Sequence, residues 1–231
     1  MAHSPRGSSM KKISVLLFSF LLAGCWEGKA GQERTAMSDA RTEIADLVNN
    51  WAFYRDQEAW SKLGATFHDE GTISLSWFDG PHKGFVAASQ NLAKNNRALL
   101  KHYVGVPRIR VEGDRALSEV NVTIMVRVKT PAGEIDTTSY ARFIDRIEKR
   151  DGKWKLLKRT AVYEKDRADP VDRPALPEAF FEGLDRYPAE LRFLASSLDK
   201  GGVELSKATV LDKGPELAAL HLEGEAWLAK K

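Results

Sequence analysis

Apolar residues recur first at helical spacing and then at every second position, and that change of period divides the chain. Ser38 suits an N-cap, and Ile44, Leu47, Val48, Trp51 and Tyr54 form a stripe that predicts a helix through about Asp56. Trp60, Leu63 and Phe67 predict a second, shorter helix over Glu58–Phe67. Gly71–Trp77 reads as a strand, Asp79-Gly80-Pro81 as a turn, and Gly84–Leu100 as a third helix with Phe85, Val86, Leu92, Leu99 and Leu100 on its apolar face. Asn91, Asn95 and Asn96 make that helix the weakest of the three.

Beyond it the period drops to two. In Ala116–Lys129, Val120, Val122, Ile124, Val126 and Val128 alternate with Glu119, Asn121, Thr123 and Arg127, the pattern of a half-buried strand. Ile135–Glu148 alternates less cleanly, and Trp154–Tyr163 is apolar on both faces. In His102–Val111 the alternation changes parity at Pro107, which predicts a bulge or bend. Glu112-Gly113-Asp114, Pro131-Ala132-Gly133 and Asp151-Gly152 are the turns between these runs. Helices followed by an antiparallel meander predict an α+β fold, a cone-shaped curved antiparallel or mixed sheet wrapped around three helices. After Asp166 the composition shifts: Pro170, Pro174 and Pro177 precede amphipathic runs at Pro188–Leu198 and Pro215–Ala229. These read as a helical C-terminal extension, residues 167–231, packed on the 38–166 domain and over its mouth.

The N-terminus changes the picture. Lys11-Lys12 precedes the apolar run Ile13–Leu22, whose ten residues are too few to span a bilayer and suit a signal peptide. It ends in Leu22-Ala23-Gly24-Cys25, which resembles the lipobox of bacterial lipoproteins. That resemblance implies cleavage of residues 1–24, a lipid on Cys25 and a place on a membrane of the bacterial cell envelope, facing the periplasm or exterior. Met10 is an alternative start to Met1, and residues 25–37 read as a polar tether. Cys25 is the chain's sole cysteine, which excludes an internal disulfide and a cysteine-ligated metal site. The formal charge of +3 rests on Arg6, Lys11 and Lys12; without those three of the 35 basic residues, 32 basic face 32 acidic. With no basic stretch interleaved with aromatics, nucleic-acid binding has no support.

From Glu43 to Glu164 the chain resembles the SnoaL-like branch of the nuclear-transport-factor-2-like superfamily. The segments that carry the likeness are Glu43–Leu47, Tyr54-Arg55-Asp56, Phe67–Gly71, Lys101-His102-Tyr103 and Arg150–Lys155. The resemblance implies an α+β cone, often dimeric through its sheet. Within that superfamily scytalone dehydratase, bile acid 7α-dehydratase and hexachlorocyclohexane dehydrochlorinase share an Asp near the end of the first helix and a His at the start of the third strand. Asp56 and His102 fall on those positions, and Arg159 on that of a cavity arginine found in two of the three. Where those enzymes place Lys or Tyr, this chain has Trp51, which suits a stacking wall for a flat apolar substrate.

Such a pair has a chemical use. Histidine can accept a proton near neutrality, and a carboxylate on one ring nitrogen fixes the tautomer that leaves the other free to do so. The resemblance then makes His102 the base, Asp56 its orienter and Arg159 the anion stabiliser. Trp51, Tyr54, Trp77, Phe85, Tyr103 and Tyr140 are candidate walls or donors around a small hydrophobic molecule. No metal, nucleotide or flavin motif is present, and elimination or isomerisation needs no cofactor. His68, His82 and His221 read as loop or polar-face residues, and Asp69-Glu70 as the solvated end of the second helix. Three readings stay open: a cofactor-independent lyase or isomerase, a membrane-anchored pocket that binds a hydrophobic ligand without chemistry, and a cone filled by its own side chains around a structural Asp–His pair.

Overall fold

The structure is a computed structural model and describes residues 16–96, 98–130 and 133–230. In chain order it comprises α1 (Leu16–Asp56), α2 (Trp60–Ala65), β1 (Phe67–Ser74), β2 (Asp79–Pro81), α3 (His82–Asn96), β3 (Leu99–Val104) and β4 (Arg108–Glu112). These are followed by β5 (Arg115–Thr130), β6 (Gly133–Arg150), β7 (Lys153–Pro170), α4 (Arg192–Lys200), β8 (Val210–Leu211) and α5 (Pro215–Leu228). The chain forms two compact units, Met1–Ala40 and Arg41–Lys231.

Within the first unit the described residues are helical. Residues 27–37, expected as a tether, are therefore regular structure: Gly28, Gly31 and Thr35 oppose a helix there, but Ala30, Gln32, Glu33, Arg34 and Ala36 favour one. Cys25 falls inside α1, while Met1–Ser9, Lys11 and Lys12 lie outside the described residues. No described helix is long and apolar enough to cross a membrane.

The second unit is α+β, with a curved, open, mixed sheet ordered β2-β1-β7-β6-β5-β3. β4 continues the edge beside β5, and β8 pairs with β7. The expected bend at Pro107 is the gap between β3 and β4. Both pair antiparallel with β5, and Gly105 N–H bridges the gap to the Asn121 carbonyl at 2.9 Å. Asp151 and Gly152, at φ 50° and 74°, make the two-residue turn between β6 and β7, a backbone that Asp-Gly adopts readily.

Three local expectations fail for identifiable reasons. The second helix stops at Ala65 because Phe67 is already paired with Leu156 of β7, so His68, Asp69 and Glu70 belong to β1 rather than to a helix end or loop. The ladder shifts register there, and a Cβ on Gly71 would lie 2.9 Å from the His68 carbonyl oxygen, which only glycine avoids. The third helix ends at Asn96, and Leu99 and Leu100 open β3 instead. The expected domain boundary at 166/167 falls inside β7, whose 18 residues carry the sheet to Pro170.

The inner face of the sheet buries the α1 stripe and the α3 face. Ile44, Val48, Trp51, Leu63 and Phe85 pack with Val120, Val122, Phe143, Ile147 and Leu156, all 2% exposed or less. The extension covers both faces. Residues of α4 reach the open end of the inner face, while α5 lies outside, its Leu217 and Leu220 packed with Ile144, Val162 and Val210.

Candidate functional site

Asp56 is the last residue of α1, where the helix dipole disfavours a carboxylate. His102 sits in β3 opposite Ile124, so its side chain shares the inner face with the alternating apolar residues of β5. The two meet. Asp56 Oδ1 lies 2.6 Å from His102 Nδ1, and Asp56 Oδ2 accepts the His102 backbone N–H at 2.9 Å. Lys101 Nζ approaches the same Oδ2 at 3.3 Å from the exposed side. Because a carboxylate can only accept, Nδ1 carries the proton and Nε2 holds a free lone pair.

Burial opposes the charge of both groups, but the outcomes differ. It raises the Asp56 carboxyl, yet the His102 hydrogen bonds and charge and the Lys101 contact outweigh it and hold the group below the usual carboxylate value. For His102 burial dominates and lowers its pKa against the pull of Asp56, with the charges of Arg55 and Arg159 pushing the same way as burial. At neutral pH the pair is carboxylate and neutral imidazole.

Beside His102 lies a cavity of about 180 Å³. Trp51, Trp77, Phe85 and Phe143 supply aromatic wall, with Trp51 edge-on to the imidazole at 5.7 Å and stacked on Phe85 at 5.8 Å. Ile124, Val126 and Val128 line the β5 side. Leu194, Ser197 and Leu198 of α4, with Gly201 and Val203, close the opposite side, as the extension was expected to do. Two contacts fasten that closure: Leu194 N–H donates to Asp166 at 2.7 Å, and Ser206 N–H to the Ser76 carbonyl at 2.7 Å.

The other expected site residues are elsewhere. Arg159 is fully buried but absent from the cavity wall. Its Nε and Nη2 donate to both oxygens of Asp145 at 2.8 Å, and its guanidinium lies against the rings of Trp51 and Phe143, which meet edge to face. Asp145 thus holds one edge of the guanidinium, while Nη1 is buried without a hydrogen-bond partner among the described residues, and Arg159 acts on His102 only through its charge. Tyr103 is 70% exposed, because it follows His102 in a strand and so faces outward. Tyr140, cross-strand from Thr123 and covered by Lys165, shares that outer face. Tyr54 lies under Lys62 and off the cavity. His68 and His82, expected in loops, are buried and bonded to the carbonyls of Glu148 and Gly71.

Two cavity residues were not singled out from the sequence. Tyr163 lies 1% exposed on the cavity wall, its hydroxyl accepting the Ser76 N–H at 3.0 Å while keeping its own proton to donate. Burial raises its pKa, so it stays a neutral phenol. Arg55, 8% exposed, also lines the cavity. It follows Trp51 by four residues and so shares its helix face, a signal available in the spacing.

A sequence model described as a SnoaL-like domain matches residues 36–160. Pea pathogenicity protein 2 of Fusarium vanettenii is 29% identical over 158 residues, 67% of each chain. Among solved structures, a protein of Novosphingobium aromaticivorans assigned as a scytalone dehydratase superposes with a TM-score of 0.51 at 18% identity, covering 62% of this chain and 99% of its own. A hexachlorocyclohexane dehydrochlorinase gives a TM-score of 0.49 at 18% identity, covering 62% and 97%. These likenesses bear on fold, and the domain match, which spans more than half of the sequence, makes this chain a member of the SnoaL-like domain family.

Proposed function

We propose that the cavity is the site of a cofactor-independent lyase, of dehydratase type, or isomerase acting on a small, apolar, ring-shaped molecule. The observation that carries this is the Asp56–His102 pair, which leaves an unprotonated Nε2 on a cavity of about 180 Å³ walled largely by aromatic and aliphatic side chains. An apolar cavity of ~150 Å³ holds a benzene. In the elimination, His102 Nε2 takes a proton from carbon and the C–H electrons form the new double bond. The hydroxyl on the neighbouring carbon leaves as water with the proton returned by the imidazolium. Such a base contributes about 10²–10⁴ in rate. With Arg159 off the cavity wall, the Tyr163 hydroxyl, which lines it, is the donor that supports this reading for the oxygen on which charge develops. The fold likeness to the Novosphingobium aromaticivorans protein assigned as a scytalone dehydratase supports the same class.

The reading extends to location and assembly. The lipid expected on Cys25 would place this pocket on a bacterial envelope membrane. A second copy would pair through the outer sheet face that α5 leaves open, where Leu99 and Tyr103 are 67% and 70% exposed.

The test is turnover of a panel of hydroxylated and halogenated rings, followed by proton NMR in deuterated buffer, with binding measured in parallel. His102→Ala should abolish turnover and leave ring binding within a few fold. Equal turnover by the variant would overturn the proposal, and binding without turnover by the native chain would assign it to the non-catalytic pocket.

A further inference from the structure

Buried charges are, as a rule, paired. In this unit Arg159 obeys the rule, and Asp56 is hydrogen-bonded by His102 and paired with the charge of Lys101. Arg55 does not. It is 92% removed from solvent, yet among the described residues no carboxylate lies within 4 Å of its guanidinium and no hydrogen bond engages it. The ring of Trp60 lies 5.3 Å from its Cζ. Stacking on a ring fixes the plane of a guanidinium and leaves the N–H groups at its edge unspent. The nearest cavity carboxylate in sequence, Asp56, is engaged by His102 and Lys101, and the next, Glu58, is exposed.

We infer that Arg55 is an anion-binding subsite of the cavity, and that the molecule held there is a single ring bearing a carboxylate. A planar, forked donor matches a carboxylate two bonds at a time. The aromatic and aliphatic walls take the ring, and a cavity of about 180 Å³ leaves room for little else. The Arg55 charge also bears on His102, where it works against protonation. A bound carboxylate cancels that charge, so the ligand itself makes the base stronger. Burial, which outweighs Asp56 and Glu58 in lowering the pKa of Arg55, is the cost that such a ligand relieves.

This inference rests on the cavity being a ligand site, but its test does not need turnover. Benzoate and its neutral isostere benzamide are titrated into the full chain, with binding read by tryptophan fluorescence and the His102 ring by NMR. Benzoate should bind the native protein at least tenfold more tightly than benzamide and shift the His102 titration upward. Arg55→Gln should lose that preference at least tenfold while melting no lower than the native chain, since it removes an unpaired charge. Arg55→Lys should retain part of it. Equal binding of the two probes, a preference that survives in Arg55→Gln, or a melting point that collapses in that variant would each overturn the subsite. Carboxylate-selective binding with no reaction of any ring would leave the subsite standing and remove the lyase reading. Turnover with no role for Arg55 would do the reverse.

Discussion

Replacing Asp56 by Asn separates the two things the carboxylate does. Asp56 accepts from the ring Nδ1–H of His102 at 2.6 Å and from its backbone N–H at 2.9 Å. Asn offers one acceptor and one NH₂. The backbone N–H cannot change its role, so it keeps the oxygen. The NH₂ then faces Nδ1, which can accept only if its proton moves to Nε2. Both hydrogen bonds survive and what is lost from them is charge, while the proton now on Nε2 faces the cavity. A hydrogen bond to a charged group contributes about 1 kcal/mol more than a neutral one, so two such bonds predict a loss near 2 kcal/mol. Asp56→Ala strips both acceptors and, at about 1–3 kcal/mol for each stranded donor, should cost roughly 2–6 kcal/mol. Nitrogen-15 NMR of the imidazole reads the tautomer without any substrate, and urea melts read the stability. Protonated Nδ1 in the native chain and protonated Nε2 in Asp56→Asn are expected, together with a fall in turnover of the order of 10⁴. The reasoning fails if the native ring already carries its proton on Nε2, or if Asn and Ala prove equally destabilising.

Three further outcomes follow from the same contacts. Asp145→Leu alone leaves Arg159 buried and unpaired, which should cost about 3–5 kcal/mol, and adding Arg159→Met should recover most of it; a single Arg159→Met that melts like the native chain but loses turnover would restore it to the catalytic set. Because the folded pKa of His102 is lowered, the unfolded chain binds its proton first as pH falls, so native stability should decline below about pH 6.5, with a second loss as Asp56 protonates below its already lowered value. Urea melts from pH 7 to below the ordinary carboxylate range check both losses, and His102→Asn should shrink the first decline without abolishing it, since burial also lowers the pKa of His82. Cys25→Ser should move the protein from the membrane to the soluble fraction in a bacterial host, and a variant that stays bound would refute the lipid anchor.

Much of the fold was legible because burial imposes a period. The alternation of Val120–Val128 marked the central strand, and Asp-Gly marked the turn after β6. What was illegible depended on register. Arg159 meets Asp145 because those two residues are directly opposed across β6 and β7, and nothing in either strand announces that pairing. Tyr103 could have been excluded by parity alone, since it adjoins His102 in a strand. Arg55 was concealed by its type: a charged residue at the end of an apolar stripe reads as the start of solvent, and only the folded cavity shows it enclosed.

The cavity also shows why the family alone does not fix a substrate. The domain match ends at residue 160, yet Tyr163, Leu194, Ser197, Leu198, Gly201 and Val203 all line the cavity from beyond that point. The Asp–His pair belongs to the shared domain, while the donor facing it and the wall that limits ligand size come from the strand end and the extension. On the proposed reading, the size of ring that fits is limited by α4, whose Leu194 lines the cavity and is fastened through its N–H to Asp166.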